Sequence, residues 1–368
     1  MIKKLHAKST IWRAPAAMVL LTATLGASAL ELPNSSFNRP GDVLIADQFN
    51  NRVIEIRPDG GIVWQFGRGP NDFSPRSIIG CNDAQRVGPL TLMAGTGTPA
   101  GVDPIVPNGV ADNRVILVDP SGRILWQYGQ FGQTGDGPDL LNTPVQCTWL
   151  PNTDVLITDQ GNNRIIEVNL KKQIVWQFPP VGDTNANDQL ASPNSAELLE
   201  NGHILISDQN DSRVIEVNRN YQIVATFTAG STIGFVAFAS RLPNGDTLIT
   251  DTSNANIVEV DGNDQIVWNY FTDTDPNSIA APLPTHAVRL RNGDTLISDQ
   301  FNNRVISVNM AKQIVADYGL PLADGNNIGY GVHNTQQGLY APYDAKVIGD
   351  YTGLTPPFDF DNDADDGH

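Results

Sequence analysis

The sequence predicts an all-β fold: a six-bladed β-propeller of four-stranded blades, closed by a C-terminal strand that completes the first blade. Three observations predict it. The first is a recurring phrase: GDVLIADQFNNRVIEI from Gly41, TDVLITDQGNNRIIEV from Thr153, GHILISDQNDSRVIEV from Gly202, GDTLITDTSNANIVEV from Gly245 and GDTLISDQFNNRVISV from Gly293, with a damaged copy, GVADNRVILV, from Gly109. The second is a phrase that follows each copy: IVWQF at Ile62, ILWQY at Ile124, IVWQF at Ile174, IVATF at Ile223, IVWNY at Ile266 and IVADY at Ile314. The third lies at the end of the chain. APYDAKVIGD from Ala341 reads like the start of a unit (compare PTHAVRLRNGD from Pro284), but no blade follows it.

Each element of the blade can be justified in order. The ruler residues Arg52, Arg114, Arg164, Arg213, Asn256 (in an arginine's place) and Arg304 step by roughly 43 to 62 residues, the range of a four-stranded blade. Within Pro144 to Phe178, PVQCTWL reads as a first strand, VLITDQ as a second, RIIEV as a third and QIVWQF as a fourth. All are short, rich in Val, Ile, Thr and aromatics, and bounded by Asn, Gly, Asp or Pro. No stretch after the N-terminal segment carries a helical period. The unit at Gly41 has no first strand of its own, so the strand at Ala341 can supply it, closing the ring and removing two exposed sheet edges.

The organisation predicted is a signal peptide over residues 1–29, a propeller over 30–350 and an acidic, disordered tail over 351–368. The N-terminal segment has Lys3, Lys4, Lys8 and Arg13, a short apolar core from Ala16 to Leu25 and a small-residue cleavage pattern ending at Ala29. That core is short for a membrane span, so the expected location is periplasmic or secreted, with no integral span in the mature chain. Asp359, Asp361, Asp363 and Asp365 alternate as in a calcium loop, but the glycine is displaced and the late acid is missing. The net charge of -17 disfavours nucleic acid and anionic lipid and suits cations and neutral ligands. Export and two cysteines suggest a disulfide between Cys81 and Cys147.

Residues that recur in nearly every blade read as scaffold. An Asp closing the second strand and an Arg opening the third can pair across the tight loop between them. Trp64, Trp126, Trp176 and Trp268 share one fourth-strand position and read as packing between blades. The positions that differ between blades are the candidates for function. Aligning the first strands on the small residue of NDA, QCT, NSA, FAS, THA and YDA places Asp83, Gln146, Ser195, Phe238, His286 and Asp344 in one ring at the channel mouth, with Asn82, Asn194, Thr285 and Tyr343 beside them. The long fourth-to-first connections fall at the same end, where binding on a rigid scaffold usually sits. Asp83 and Asp344 would repel unless a proton or a metal such as Ca²⁺ lay between them.

The combined phrase, with LPNGDTLI from Leu242 as its clearest turn and second strand, resembles NHL-repeat and arylsulfotransferase-like six-bladed propellers over nearly all of the chain after the signal segment. The resemblance implies the fold and leaves three functions open. One is an exported module binding a protein or small-molecule ligand at the channel mouth. Another is a calcium-dependent hydrolase or lyase. A third is an arylsulfotransferase-like enzyme, for which only His286 occupies a matching ring position while two ring positions are acidic. In either enzyme His286 would be the catalytic residue.

Overall fold

A computed structural model describes residues 37–318 and 338–350. The predicted signal peptide and the acidic tail with its alternating aspartates lie outside the described residues. Six four-stranded antiparallel sheets form the blades. Blade 1 contains β1 (Val43–Asp47), β2 (Arg52–Ile56) and β3 (Ile62–Phe66); blade 2 contains β4 (Cys81–Val87), β5 (Leu90–Thr98), β6 (Val110–Val118) and β7 (Ile124–Gly129). Blade 3 runs β8 (Pro144–Trp149), β9 (Val155–Asp159), β10 (Arg164–Val168) and β11 (Ile174–Phe178); blade 4 runs β12 (Pro193–Leu198), β13 (Ile204–Asp208), β14 (Arg213–Val217) and β15 (Ile223–Phe227). Blade 5 is β16 (Val236–Arg241), β17 (Thr247–Asp251), β18 (Asn256–Val260) and β19 (Ile266–Phe271); blade 6 is β20 (His286–Arg289), β21 (Thr295–Asp299), β22 (Arg304–Val308) and β23 (Ile314–Asp317). The last strand, β24 (Pro342–Val347), pairs antiparallel with β1 from Val43↔Val347 to Asp47↔Pro342 and so completes blade 1.

The repeated phrase builds one turn five times, with an Asp–Arg pair in blades 1, 3, 4 and 6 and Asp251 facing Asn256 in blade 5. The Asp and Arg face each other in register, as in Asp47↔Arg52 and Asp159↔Arg164. The three residues after the Asp make a 3-10 turn, and the next residue turns left-handed, as at Asn51 (φ 49°), Asn163 (φ 51°) and Asn303 (φ 54°). Asn tolerates that conformation better than most residues. The arginine Nε donates to the Asp Oδ2 at 2.7 Å in Arg52–Asp47 and 2.8 Å in Arg304–Asp299. In blades 1, 3, 4 and 5 the other Asp oxygen accepts a backbone N–H from the connection entering the first strand, as from Asn142 to Asp159 (2.8 Å) and Ala191 to Asp208 (2.7 Å); in blade 6 Asp299 Oδ1 has no partner. The left-handed Asn reaches the next blade: Ser192 N–H donates to Asn163 Oδ1 at 2.8 Å. Blade 2 departs from the phrase. Its Asp112 stands on β6, two residues before Arg114, yet still accepts from Arg114 and from Ile79 N–H (2.7 Å).

The core lies in layers between neighbouring blades. The fourth-strand tryptophans bridge these layers. Trp64 Nε1 donates to Pro120 O (3.0 Å), Trp126 to Leu170 O (3.2 Å) and Trp268 to Met310 O (3.2 Å), in each case a turn of the next blade. Trp176 instead stacks on Tyr221 of the next blade, with ring centroids 5.9 Å apart.

The expected disulfide is absent: Cys81 and Cys147 are free and buried. The reason lies in the layers. Cys81 packs in the layer between blades 1 and 2, and Cys147 in the layer between blades 2 and 3. Burial pushes both thiols well up, and the Asp83 carboxylate adds to the effect.

Candidate channel-mouth site

A local irregularity in the first strands aims their side chains at the channel. Each of β4, β8, β12, β16 and β24 shifts register just before its ring residue, between Cys81 and Asp83, Pro144 and Gln146, Pro193 and Ser195, Val236 and Phe238, and Pro342 and Asp344. The skipped residues are Asn82, Val145, Asn194, Ala237 and Tyr343. Such a bulge re-aims its side chain. All five line one cavity, together with Asp83, Gln146, Phe238, Thr285, His286 and Asp344. The structure thus brings together every ring residue expected from the sequence except Ser195. Ser195 turns aside, donating its hydroxyl to Ser207 Oγ at 2.8 Å.

Four of the six ring residues do a structural job that the sequence reading did not foresee. Each accepts a hydrogen bond from the backbone of the next blade's first strand. Ala84 N–H donates to Asp344 Oδ2 (3.2 Å), Cys147 N–H to Asp83 Oδ2 (3.0 Å), Ala196 N–H to Gln146 Oε1 (2.5 Å) and Ala239 N–H to Ser195 Oγ (3.3 Å). The donor is always the small residue on which the first strands align. One layer deeper, Trp149 N–H donates to Gln85 Oε1 (2.7 Å) and Arg241 N–H to Glu197 Oε2 (3.0 Å). The ring of joints is interrupted at Phe238, which has no polar atom, and at His286, whose nitrogens make no hydrogen bond. These two rings lie 4.0 Å apart, centroid to centroid.

The repulsion expected between Asp83 and Asp344 is relieved by a residue of the chain. Lys346 Nζ donates to Asp83 Oδ1 and to Asp344 Oδ2, each at 2.6 Å, and to Ala84 O at 2.9 Å. Lys346 is buried, and the two carboxylates hold its pKa above the usual lysine value against the pull of burial. This arrangement does not fit calcium. Ca²⁺ needs six to eight oxygen ligands, but an ammonium already sits between the two carboxylates and three of their four oxygens are engaged. Among the described residues no group of three or more His, Cys, Asp or Glu side chains could hold a metal ion.

The remaining carboxylate oxygen, Asp344 Oδ1, is buried without a hydrogen-bond partner. His286 Nε2 is 3.1 Å from it but is not aligned for a hydrogen bond. Burial, reinforced by Lys346, holds the His286 pKa well below the ordinary value, so the imidazole is neutral and the contact is no ion pair. Burial also raises the Asp83 pKa, which Lys346 lowers and Asp344 raises further.

A collar of amides covers the ring. Gln300 Nε2 donates to Gln48 Oε1 (2.8 Å), and Gln48 Nε2 donates to Asn82 Oδ1 (2.8 Å). On the opposite side Asn194 Nδ2 donates to Gln209 Oε1 and, at 3.0 Å, to the Tyr343 hydroxyl. Tyr343 belongs to blade 1 and Asn194 to blade 4, so this contact spans the channel. Burial pushes the Tyr343 pKa up to about 12. Sequence reading missed these glutamines and Lys346. The signal for the glutamines was present: they follow the recurring Asp, at the end that faces the mouth. The space inside the cavity, about 10 Å³ for a water-sized sphere, holds about one water. His203 lies elsewhere, against Glu216 (2.6 Å) at the start of β13, the end of the blade away from the collar.

No family model and no curated protein matches this sequence. Among solved structures the fold is similar to a protein of unknown function from Bacteroides caccae, at 16% identity and a TM-score of 0.52, covering 76% of this chain and 93% of that one. A virginiamycin B lyase from Staphylococcus aureus matches at 12% identity and a TM-score of 0.44, covering 66% of this chain and 71% of that one. A dihydro-heme d1 dehydrogenase matches at 9% identity and a TM-score of 0.45, covering 84% and 75%. The first likeness is one of fold.

Proposed function

We propose that this chain is an exported binding module that takes a small-molecule or protein ligand at its channel-mouth face. One observation carries the reading. Most ring side chains are committed to joints between blades, and the space beneath the collar holds about one water. Recognition therefore falls to the mouth, where the long connections and an amide-rich collar converge. An arylsulfotransferase-like role finds less support, because the two carboxylates outweigh Lys346 and a histidine nucleophile for anionic aryl sulfates works best in positive surroundings. Export rests on the N-terminal segment, and a mature mass beginning after Ala29 would support it. Among the described residues no helix is long and apolar enough to cross a membrane.

A ligand panel read by thermal shift tests the binding role. A ligand of the mouth raises the Tm of the wild type and of an opposite-face variant, Arg219→Ala, but not that of Gln48→Ala/Gln209→Ala. A shift that survives the mouth substitutions and is lost in Arg219→Ala overturns the assignment. A second reading, as a hydrolase or lyase, has one observation in its favour: His286 is neutral, as a general base must be, and lies beside a carboxylate oxygen. Lactone or ester turnover lost in His286→Ala would support it.

A further inference from the structure

The channel cluster carries an unbalanced charge. Two carboxylates, Asp83 and Asp344, share one ammonium, Lys346, and the adjacent imidazole is neutral. All four side chains are more than nine-tenths buried. With both carboxylates ionised the sum is one negative charge without a partner, in a place where uncompensated charge is costly.

The unpartnered atoms belong to the same corner. Asp344 Oδ1, His286 Nδ1 and His286 Nε2 lack hydrogen-bond partners, and both residues line the water-sized cavity. A neutral imidazole offers one acceptor nitrogen, and a carboxylate oxygen offers acceptor sites only. Phe238 and Tyr343 line the same cavity, and aromatic faces attract cations. A water would fit the space but leave the charge unbalanced, and an anion would worsen it. A divalent metal lacks the oxygen ligands it needs. What matches in size, charge and donor count is an ammonium head, which is about as large as a water molecule and carries N–H donors.

We propose that the channel-mouth cavity binds the ammonium head of a primary amine, with Asp344 Oδ1 and His286 as its acceptors and the organic body extending past Tyr343 to the amide collar. This inference rests on the reading of the mouth as the ligand face and names the ligand class. The net charge of -17 favours the approach of cations.

Calorimetric titration of the purified protein with n-butylamine, with n-butanol as a neutral control and tetramethylammonium as an oversized head, tests it. The amine binds, and neither control does. Asp344→Asn weakens amine binding by about 10- to 100-fold, the range for losing a hydrogen bond to a charged group. Asp344 also holds Lys346 and the Ala84 amide, so His286→Leu is the companion variant: it touches none of the joints and weakens binding about tenfold while the variant stays folded. Equal responses to butylamine and butanol, or amine binding unchanged in both variants, overturns the proposal. If amines fail while a neutral ligand binds with the dependence on Gln48 and Gln209 described above, the amine assignment is wrong and the binding module stands. If no ligand depends on the mouth, both fall.

Discussion

In one arc of the channel ring, from blade 1 through blade 5, the ring side chain accepts from the next blade's first strand; in the arc from blade 5 through blade 6 back to blade 1 it does not, and the link from blade 6 to blade 1 is made instead by Thr285 Oγ1, which donates to Tyr343 O at 2.6 Å, and by Asn303 Oδ1, which accepts from Ala341 N–H at 2.9 Å. The same repeat position serves both arcs. Where it holds Asp, Gln or Ser, the side chain closes a joint between blades. Where it holds Phe238 and His286, the joint is open, and unsatisfied polar atoms collect there. The contrast teaches that ring polarity is a poor marker of function in this fold. Most polar ring residues hold neighbouring blades together, and the atoms left without partners are those of His286 and the second oxygen of Asp344.

The most severe test attacks the closure on which the tied arc depends. Removing residues from Ala341 onward takes away β24, the Asp344 joint and Lys346 together, and bares one edge of β1. The expected result is loss of cooperative unfolding and aggregation, seen by circular dichroism and light scattering. Full thermal stability after the truncation would break the closed-ring description. Lys346→Met is a finer version of this test. It leaves two buried carboxylates with no cation between them, at a cost of about 3–5 kcal/mol by urea denaturation. A loss under about 1 kcal/mol would mean that another group compensates them.

The two arcs are compared most directly by matched apolar substitutions. Gln146→Leu orphans the Ala196 N–H and should cost about 1–3 kcal/mol. His286→Leu removes a buried imidazole with no hydrogen bonds, so its stability change should lie near zero or be a gain. Equal costs at the two sites would erase the distinction between a tied and an open arc.

The sequence made some of this legible and hid the rest for physical reasons. Blade count, strand order and closure could be read because a propeller repeats its local pattern, and PYDAKV matches other first strands residue by residue. The ring could be read because alignment on Ala84, Cys147, Ala196 and their equivalents fixes which side chains share a level. The joints could not, because they need the distance between adjacent first strands. Lys346 stayed hidden because it lies two residues beyond the ring residue Asp344, and a lysine in a strand ordinarily points to water. The disulfide failed because proximity in the repeat says nothing about which interblade layer a side chain enters.

The Asp–Arg pairs of the two arcs share the same arginine contact and differ in the other carboxylate oxygen, which accepts from Ala191 N–H at Asp208 and has no partner at Asp299; pH compares them. Burial pushes Asp208 in blade 4 and Asp299 in blade 6 up to about 6, more than Arg213 and Arg304 offset. A carboxyl whose folded pKa lies above its unfolded value, about 3.9, contributes stability fully below that lower value and loses it as pH rises through the folded pKa. Stability should therefore fall between about pH 4 and pH 7. Asp208→Asn and Asp299→Asn should each flatten that slope, by a similar amount on the order of 1 kcal/mol. Unequal flattening would mean that the other carboxylate oxygen makes the arcs differ in their scaffold as well as in their ring.

The smallest effect concerns the contact that covers both arcs. The Tyr343 hydroxyl donates to Asn194 Oδ1 at 3.1 Å and accepts from its Nδ2, joining blade 1 to blade 4 over the cavity. Tyr343→Phe keeps the ring and removes this link. The cost should be about 0.5–1 kcal/mol, since the Asn194 amide keeps its bond to Gln209. Access should change more than stability, because His286 lines the same cavity as Tyr343 and Asn194. Acylation of His286 by diethyl pyrocarbonate, followed by peptide mapping, should be slow in the wild type and faster in Tyr343→Phe, with His203 on the far side of the blade as an internal standard. An unchanged rate at His286 would show that the Tyr343–Asn194 contact does not control entry, and that the open arc is reached by another path.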